Sequence, residues 1–327
     1  MTNSVKTRPE VSKMRFTMTP PIDLARTMTI QIPALEWVNN SNGYWRVVDG
    51  VTQTICPHAF KGPLASDLDM EGVHPNEMHW TPLLQLKSHD PCIRKLRDFF
   101  AGLYFMNGQD PFRCLTLTLL TQNKTAERAR SAFCELSRRF GSITPQTLCE
   151  AHPHELLPAL QRCGPHRKAG YLISIARKLM QRWNGDMSWV YDEPRRAREV
   201  LLSLPGVGPK TADCVLLYAA GHEIVPVDTH IERVARRLGF IERGAIRRGL
   251  DVNVEEIRGS TRSKDLAKEA LEHDLVHPGR SHLLLIQHGF EFCHATAPAC
   301  FLCPIREECT SIDNRYRSTL HFSSRQQ

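Results

Sequence analysis

Short runs of alternating apolar and polar residues fill the first part of the chain. Between Met28 and about Thr81 these runs are bounded by groups of Asn, Ser, Asp, Gly and Pro, and they include TMTIQI, GYWRVV and TQTICPHAF. Alternation interrupted by turn residues is typical of short antiparallel strands. The pattern predicts a small β-rich region over residues 26–90, preceded by a flexible tail over residues 1–25.

From Asp90 onward the apolar residues recur at helical spacing. We expect buried helices in IRKLRDFFAGLYFM and PFRCLTLTLLTQ, and an amphipathic helix in TAERARSAFCELSRRFG that ends at Gly141. Further short helices are predicted in TPQTLCEA, HPHELLPALQRC, RKAGYLISIARKLMQRW, PRRAREVLLSL and residues 229–240, 262–272 and 281–292. The pattern predicts a bundle of helices with tight connections.

Charge and composition narrow the classes of partner. The 42 Lys and Arg exceed the 35 Asp and Glu, and the net charge of +7 permits a polyanionic partner without requiring one. No run approaches the ~20 apolar residues of a membrane span. The N-terminus lacks the apolar core of a secretory signal, and its basic, Ser- and Thr-rich composition suits a mobile tail or an organellar transit peptide. We expect no membrane partner, and a cytoplasmic, nucleoid-associated location, or a nuclear one in a eukaryote.

The segment LLSLPGVGPKTADCVLL predicts two helices joined by a tight hairpin. The first helix ends at Ser203 and the second begins near Pro209, a residue suited to a first helical position. Gly206 and Gly208 allow the positive φ that such a turn requires. The free N–H groups at the start of the second helix form an anion site. We expect the hairpin to contact DNA phosphates without reading bases, the alternative being an ordinary connection between helices.

Lys210 and Asp228 are the candidate catalytic residues. Lys210 falls in the first turn after the hairpin, where the helix dipole and partial burial both predict a lowered pKa. A neutral amine beside DNA can attack C1′ of a deoxyribose, although contact with a phosphate is the usual role of such a lysine. Asp228, in IVPVDTHIERVARRLGF, is an expected N-cap. Its carboxylate can also stabilise positive charge at C1′ and move protons.

Four of the eleven cysteines are clustered near the C-terminus. They form the pattern C-x6-C-x2-C-x5-C at Cys293, Cys300, Cys303 and Cys309. Four thiolates this close in sequence can bind zinc or a 4Fe–4S cluster. The other seven are expected to be small buried residues in a reducing compartment.

LPGVGPKTAD followed by VDTHIERVARRLG resembles the helix-hairpin-helix (HhH-GPD) DNA glycosylase superfamily, especially its endonuclease III branch. SHLLLIQHGFEFC before the clustered cysteines is similar to the same branch. The resemblance implies that Lys210 is the nucleophile, that Asp228 is its partner, and that the four cysteines bind a 4Fe–4S cluster. It also implies a monomer that removes a damaged base, an oxidised pyrimidine by default, from double-stranded DNA and cleaves the abasic site by β-elimination.

The same resemblance implies a mainly α fold of two helical lobes flanking a DNA groove. A six-helix lobe with the hairpin would span residues 109–222. A cluster lobe would combine residues 91–108 with residues 223–310. A small β-rich N-terminal addition precedes both lobes, and a C-terminal tail covers residues 311–327.

Two further loops are implied to enter the duplex. The full set of expected DNA contacts is Gln122, Asn123, Gly164, Pro165, His166, Lys168, Pro205, Gly206, Val207, Gly208, Thr211 and His230. The chain departs from the family at Pro165-His166, where endonuclease III has a Leu-Tyr pair in a loop one residue longer. This difference leaves the lesion and the opposite base open. The alternatives are a base-only glycosylase, a non-catalytic DNA-binding protein and a zinc-stabilised form of the same enzyme.

Overall fold

The structure is a computed structural model that describes residues 13–29, 31, 37–40, 43–48, 51–57, 65–71 and 79–311. Its N-terminal part is an antiparallel sheet in the spatial order β1-β5-β4-β3-β2. The strands of this sheet are β1 (Lys13–Ile22), β2 (Val38–Asn40), β3 (Gly43–Val48), β4 (Val51–Pro57) and β5 (Ala65–Glu71). Strands β2 to β5 pair with their neighbours in sequence, and β1 completes the sheet by pairing with β5.

The expected tail over residues 1–25 is wrong for residues 13–22, which form β1, while residues 1–12 lie outside the described residues. The strand pairs with β5 from Lys13 opposite Glu71 to Thr17 opposite Asp67. Its sequence KMRFTM alternates polar and apolar residues with the period of a strand. That alternation begins well before Met28, so the β-rich region starts earlier than predicted.

Residues 27–29 lie in a short helix, α1 (Leu24–Thr29), and not in the strand predicted for TMTIQI. Asp23 starts this helix, because its Oδ1 accepts the N–H of Arg26 at 3.0 Å. Leu24 and Met28 are one turn apart and both are buried. They belong to an apolar core beneath the sheet that also contains Trp37, Ile55 and Leu68. Burial of this helical face therefore overrides the local alternation.

A two-stranded ribbon links the sheet region to the helices. Strand β6 (His79–Pro82) pairs with β7 (Tyr104–Asn107), so IRKLRDFFAGLYFM is not one helix but α2 (Pro91–Phe99) followed by a strand. The buried Gln31 completes β7, since its Nε2 donates to the carbonyl of Tyr104 at 2.8 Å and its Oε1 accepts the N–H of Met106 at 2.8 Å. The side chain of Gln31 thus makes the backbone hydrogen bonds that a neighbouring strand would otherwise make.

The rest of the described chain is helical, and this confirms the mainly α fold class. The helices are α3 (Pro111–Thr121), α4 (Ala126–Phe140), α5 (Pro145–Glu150), α6 (Pro153–Leu160), α7 (Pro165–Trp183), α8 (Pro194–Leu202), α9 (Pro209–Tyr218), α10 (Thr229–Arg237), α11 (Phe240–Arg247), α12 (Thr261–Asp274) and α13 (Pro278–Glu291). Many begin with Pro at the first helical position, where no N–H is needed. Side chains that cap helix starts are Asp90, Asp110, Thr125, Thr144, Glu193, Asp228 and Ser260.

Helix α3 is the centre of the helical part. All its residues from Pro111 to Leu120 are buried, and α4, α7 and α9 pack against it. Helix α13 packs against α2, α10 and α12, and one apolar core runs from α2 to the cysteine-rich loop. The division into lobes of residues 109–222 and of residues 91–108 with 223–310 stays a prediction. No helix in the described ranges is both long and apolar enough to cross a membrane.

Candidate active site

The hairpin between α8 and α9 is held by its own buried residues. Leu204 and Val207 are buried, and the N–H of Val207 donates to the carbonyl of Leu204 at 3.2 Å. Gly206 has φ +75°, and a Cβ added there would lie 2.3 Å from a ring carbon of Tyr171. Glycine is therefore required at this position both for the backbone conformation and for the close approach of the ring.

Gly208 differs from the sequence-based expectation, because its backbone is extended with φ −99° and ψ 177°. The prediction of a positive φ is confirmed for Gly206 and wrong for Gly208. A Cβ added at Gly208 would meet no atom within 4 Å, so the space beside the first turn of α9 is open. The first N–H groups of a helix have no acceptor within it and lie at the positive end of its dipole. The open space therefore suits an anion.

Gln122 ties the loop after α3 to this hairpin. Its Nε2 donates to the carbonyl of Gly206 at 3.0 Å and to Oγ1 of Thr211 at 3.1 Å. Thr211 is buried, so its hydroxyl serves a contact inside the protein. Asn123 follows at the exposed tip with φ +56°, a left-handed conformation that few residues other than glycine adopt.

Lys168 is not placed to contact DNA, which contradicts its predicted role. Its side chain is buried, and its Nζ donates to the carbonyls of Leu120 at 2.7 Å and Gln122 at 3.0 Å. Carbonyls at the end of a helix have no hydrogen-bond donor within the helix, and the ammonium group of Lys168 supplies one. Burial lowers the pKa of Lys168 to about 8. The lysine therefore holds the Gln122 loop from beneath.

The second predicted DNA loop lies next to this lysine. Gly164 is exposed with φ +79° and precedes Pro165, the first residue of α7. His166 is also exposed, and Cys163 is buried with its Sγ 3.2 Å from the carbonyl of Arg128. Through Lys168 and Gln122, the structure links this loop, the end of α3 and the hairpin.

Lys210 lies in the first turn of α9 and is partly exposed. Burial alone acts to lower its pKa, but the Cys214 sulfur and the Asp228 carboxylate act against it, and the pKa is raised above the ordinary lysine value. The expected lowering is therefore wrong for the protein without DNA. The favourable charge interactions therefore outweigh the effect of burial on Lys210. Lys210 rests as an ammonium and must lose a proton before it can act as a nucleophile.

Asp228 caps α10, as its sequence predicts. Its Oδ1 accepts the N–H groups of His230 at 2.8 Å and Ile231 at 2.9 Å. The same carboxylate raises the pKa of Lys210. The structure thus brings together a lysine and an aspartate that are separated by 18 positions in the sequence.

The chain leading to Asp228 is held by α12. The Nζ of Lys268 donates to the carbonyl of Val225 at 3.3 Å, and Oε1 of Glu272 accepts the N–H of Val225 at 2.9 Å. Both backbone groups of one residue are therefore fixed three positions before the cap. This clamp was not predicted, since nothing in the sequence marks the pairing of Val225 with α12.

A buried carboxylate connects the same region to α9. Asp213 is 1% exposed, and its two oxygens pair with Nε of Arg198 at 2.7 Å and Nζ of Lys268 at 3.3 Å. One acidic side chain therefore joins α8, α9 and α12. The sequence could have indicated this buried carboxylate, because Asp213 is the single charged residue inside the apolar run TADCVLLY.

His230 and His282 face this region from different helices. His230 is partly buried, burial lowers its pKa, and its ring centre lies 4.7 Å from that of Phe290. His282, on α13, is 4% exposed, and burial lowers its pKa to about 4 while Asp228 acts in the opposite direction. His282 was not identified from the sequence, because only the fold brings α13 next to the lysine and aspartate.

The four clustered cysteines line one small cavity together with Arg237 and His288. None of the four is in a disulfide. Burial raises the pKa of the Cys303 thiol to about 11, and the sulfurs of the other three cysteines act in the same direction. Nη1 of Arg237 donates to Sγ of Cys293 at 3.0 Å, and the buried Nδ1 of His288 has no hydrogen-bond partner in the described ranges. Ionised sulfurs that repel one another suit a bound cationic centre.

Four thiolates are spaced differently around a single metal ion and around a 4Fe–4S cluster. Among the described residues, no three Cys, His, Asp or Glu side chains converge closely enough to hold one metal ion. Zinc would draw four sulfurs to about 2.3 Å from one point. In a 4Fe–4S cluster each thiolate binds a different iron, so the sulfurs remain further apart around a shared volume.

Comparison with known proteins places the chain in a family. A sequence profile for the HhH-GPD superfamily of base excision DNA repair proteins matches residues 117–254, which include the hairpin, Lys210 and Asp228. Endonuclease III of Sulfolobus acidocaldarius is 30% identical over 214 residues, which cover 65% of this chain and 87% of that protein.

Two solved structures share the fold. A non-covalent complex of endonuclease III with DNA has a TM-score of 0.55 at 26% identity and covers 69% of this chain and 95% of its own. The structure of MBOgg1 with a low-affinity DNA ligand has a TM-score of 0.60 at 17% identity and covers 87% of this chain and 99% of its own. The second likeness is of fold alone, and its coverage reaches part of the N-terminal sheet region.

The fold and the site define a DNA glycosylase that acts in base excision repair. The chain belongs to the HhH-GPD superfamily and, within it, to the endonuclease III-like glycosylases, which confirms the resemblance seen in its motifs.

Proposed function

We propose that this glycosylase is bifunctional, with Lys210 as its nucleophile and Asp228 as the partner of that lysine. It removes a damaged base and then cleaves the strand by β-elimination. The observation that supports this function is the juxtaposition of the two charges: Lys210 lies directly behind the hairpin, and the Asp228 carboxylate acts on its ammonium.

The reaction begins when the Lys210 ammonium gives up a proton, which passes by way of the Asp228 carboxylate to water, so that Asp228 is again ionised when the amine attacks. The Nζ lone pair then forms a bond to C1′ while the bond from C1′ to the base breaks, and the base leaves with that electron pair. Opening of the sugar ring gives a Schiff base. Loss of a C2′ proton then expels the 3′ phosphate. Asp228 stabilises the positive charge that develops at C1′.

The substrate in this proposal is double-stranded DNA with a damaged base or an abasic site. The hairpin residues Pro205, Gly206, Val207 and Gly208 meet the phosphates through their backbone. Gln122, Asn123, Gly164, Pro165 and His166 form the surface that enters the duplex once the nucleotide is extruded. His230 completes the contact at the start of α10. Thr211 acts through Gln122 and not through DNA.

Cys293, Cys300, Cys303 and Cys309 would hold a 4Fe–4S cluster. When bound, the cluster supplies a rigid cross-link for the C-terminal loop. We propose a monomer located with the genomic DNA of the cell. An oxidised pyrimidine is the default lesion, and the Pro165-His166 loop is where this chain differs from endonuclease III in the surface that would enter the duplex.

Borohydride trapping on duplexes that each carry one intact damaged base tests this function. The wild type is compared with Lys210→Ala and with a matched control, Lys87→Ala, which removes an exposed lysine. We expect a covalent adduct on at least one lesion, present in the control and absent in Lys210→Ala. Intact bases are needed because many amines trap a preformed abasic site.

The alternatives give different results in the same assay. Base release without an adduct would show a base-only glycosylase. DNA binding without any product on any lesion would indicate a non-catalytic protein. In that case Lys210→Ala would change only the dependence of affinity on salt.

A further inference from the structure

His282 is buried near enough to Lys210 and Asp228 to feel both charges, and it has no role in the steps above. It is 4% exposed in the second turn of α13, and the charges of Asp228, Lys210 and Lys268 all act on it. The start of α13 approaches α9 very closely, since a Cβ added at Gly279 would lie 2.7 Å from Cδ1 of Leu217. His282 therefore lies in the seam between the helix that bears the lysine and the segment that bears the aspartate.

The Nδ1 atom of His282 is buried and has no hydrogen-bond partner in the described part of the chain. An unpaired buried polar atom costs free energy, and such exceptions in native proteins call for an explanation. The surroundings keep the ring neutral, because burial and the two lysines all lower its pKa, to about 4. A neutral imidazole retains one N–H donor and one acceptor.

Asp228 is the group that gains from such a donor. Its Oδ1 is bound to two N–H groups of α10, and its charge faces the Lys210 ammonium. When Lys210 bonds to C1′, its nitrogen moves towards the sugar, and the carboxylate is left with less nearby positive charge. A donor behind the carboxylate would then keep it in place and ionised.

We propose that His282 is a positioning residue for Asp228. Its neutral imidazole donates from Nδ1 to the Asp228 carboxylate once Lys210 engages the sugar. No covalent bond changes in this step. The inference rests on the proposed function and adds one residue to the machinery of the same site.

The kinetic test compares His282→Leu, which removes the donor, with His282→Asn, which keeps a donor near Nδ1. His154→Leu, at an exposed histidine, is the matched control. Single-turnover rates are measured on a preformed abasic site and on a duplex with an intact lesion, as a function of pH. We expect His282→Leu to slow both reactions by the same factor, roughly tenfold to a hundredfold. Its pH midpoint should shift, and His282→Asn should recover most of the rate and the midpoint.

Other kinetic outcomes would overturn the proposal. A loss confined to the duplex with an intact base would mean that His282 contacts the base. Equal losses with an unchanged pH midpoint and a lower melting temperature would mean that it only fills space. Wild-type rates in His282→Leu would remove any role in the reaction.

A second measurement does not depend on activity or on the folding of His282→Leu. The protein is labelled with 15N-histidine and bound to a duplex with a non-cleavable abasic-site analogue, and the His282 signal is identified by its loss in His282→Asn. We expect the Nδ1 proton to move downfield on binding, and Asp228→Asn to abolish the change. An unmoved signal overturns the positioning role. A moved signal in an enzyme that forms no trapped adduct counts against the proposed function alone.

Discussion

The Nε2 atom of Gln122 lies 3.0 Å from the carbonyl oxygen of Gly206 and joins the loop after α3 to the hairpin before α9. From the other side, Nζ of Lys168 lies 3.0 Å from the carbonyl of Gln122. One residue is thus held through its side chain by the hairpin and through its backbone by a buried lysine. The two loops therefore form a single preorganised surface.

Gln122→Ala should weaken binding to intact duplex and, more strongly, to a duplex with an abasic-site analogue. Loss of the bond to Gly206 removes about 1 kcal/mol of hairpin anchoring, equivalent to roughly fivefold in affinity for any duplex. The larger loss on the analogue is expected because the same side chain would fill the gap left by the nucleotide. Fluorescence anisotropy at fixed salt measures both, with Gln85→Ala as an exposed control. Unchanged affinity for intact duplex would show that the hairpin does not depend on Gln122.

Lys168→Met should change how stability depends on pH. The folded pKa of about 8 lies below the ordinary value of 10.5, so between these pH values the unfolded chain binds more protons. The contribution of Lys168 to the free energy of unfolding therefore rises with pH through this window and is lowest below about pH 8. Urea unfolding of both proteins at pH 7.5, 8.5 and 9.5 tests this. The wild type should gain stability relative to Lys168→Met as the pH rises, and parallel curves would contradict the prediction.

Local sequence rules were sufficient for most of the helical part. Proline at the first helical position and a capping side chain mark helix starts such as those at Pro111 and Thr229. The hairpin residues and the four cysteines were recognised for the same reason, since their chemistry depends on spacing along the chain. Asp228 was correctly predicted to be a cap, because that role is decided within three residues.

The features that the sequence predicted wrongly depend mostly on contacts between distant segments. The segment that contains Tyr104 and Met106 forms a strand because β6 pairs with it and Gln31 bonds to their backbone groups, although the segment itself favours a helix. Lys168 is buried because the end of α3 lies beside it. The pKa of Lys210 is raised first by the Cys214 sulfur, one turn along its own helix, and then by Asp228, which comes from another segment.

Gly206→Ala and Gly208→Ala should fail in different ways. The first places a Cβ 2.3 Å from the Tyr171 ring at φ +75°. We therefore expect the free energy of unfolding to fall by about 2 kcal/mol or more, with a lower melting temperature and weaker DNA binding. The second has an extended backbone and open space, so the melting temperature should stay near wild type. Its DNA affinity should still fall, because the new methyl group occupies the anion site. If Gly208→Ala binds DNA with wild-type affinity, no phosphate occupies that space.

Metal analysis of the purified protein should find iron and acid-labile sulfide, about four of each per chain, and no stoichiometric zinc. Cys303→Ser should lose most of the iron and destabilise the C-terminal loop, because that thiol is surrounded by the other three sulfurs. Cys149→Ser, a cysteine outside this cavity, is the matched control and should keep the full content. Stoichiometric zinc in protein prepared without oxygen would contradict the cluster.

Cys214→Val should move the pH dependence of the reaction to lower pH. Cys214 lies one helical turn after Lys210, and its sulfur raises the pKa of the lysine. Burial raises the pKa of the Cys214 thiol itself, so near neutral pH it meets the ammonium as an uncharged acceptor. Valine removes that acceptor with a small increase in side-chain volume, and the pKa of Lys210 should fall. More of the lysine is then neutral at a given pH, so single-turnover base release below the midpoint should be severalfold faster.

The control for this substitution is Cys149→Val, at a cysteine remote from Lys210 in the sequence and in no contact with it among the described interactions. Single-turnover rates from pH 6 to 9 measure the midpoint in each protein. An unshifted profile in a stable Cys214→Val variant would show that Asp228 alone sets the protonation of Lys210. A slower reaction at every pH, with the midpoint unchanged, would instead mean that the sulfur holds the amine in its attacking position.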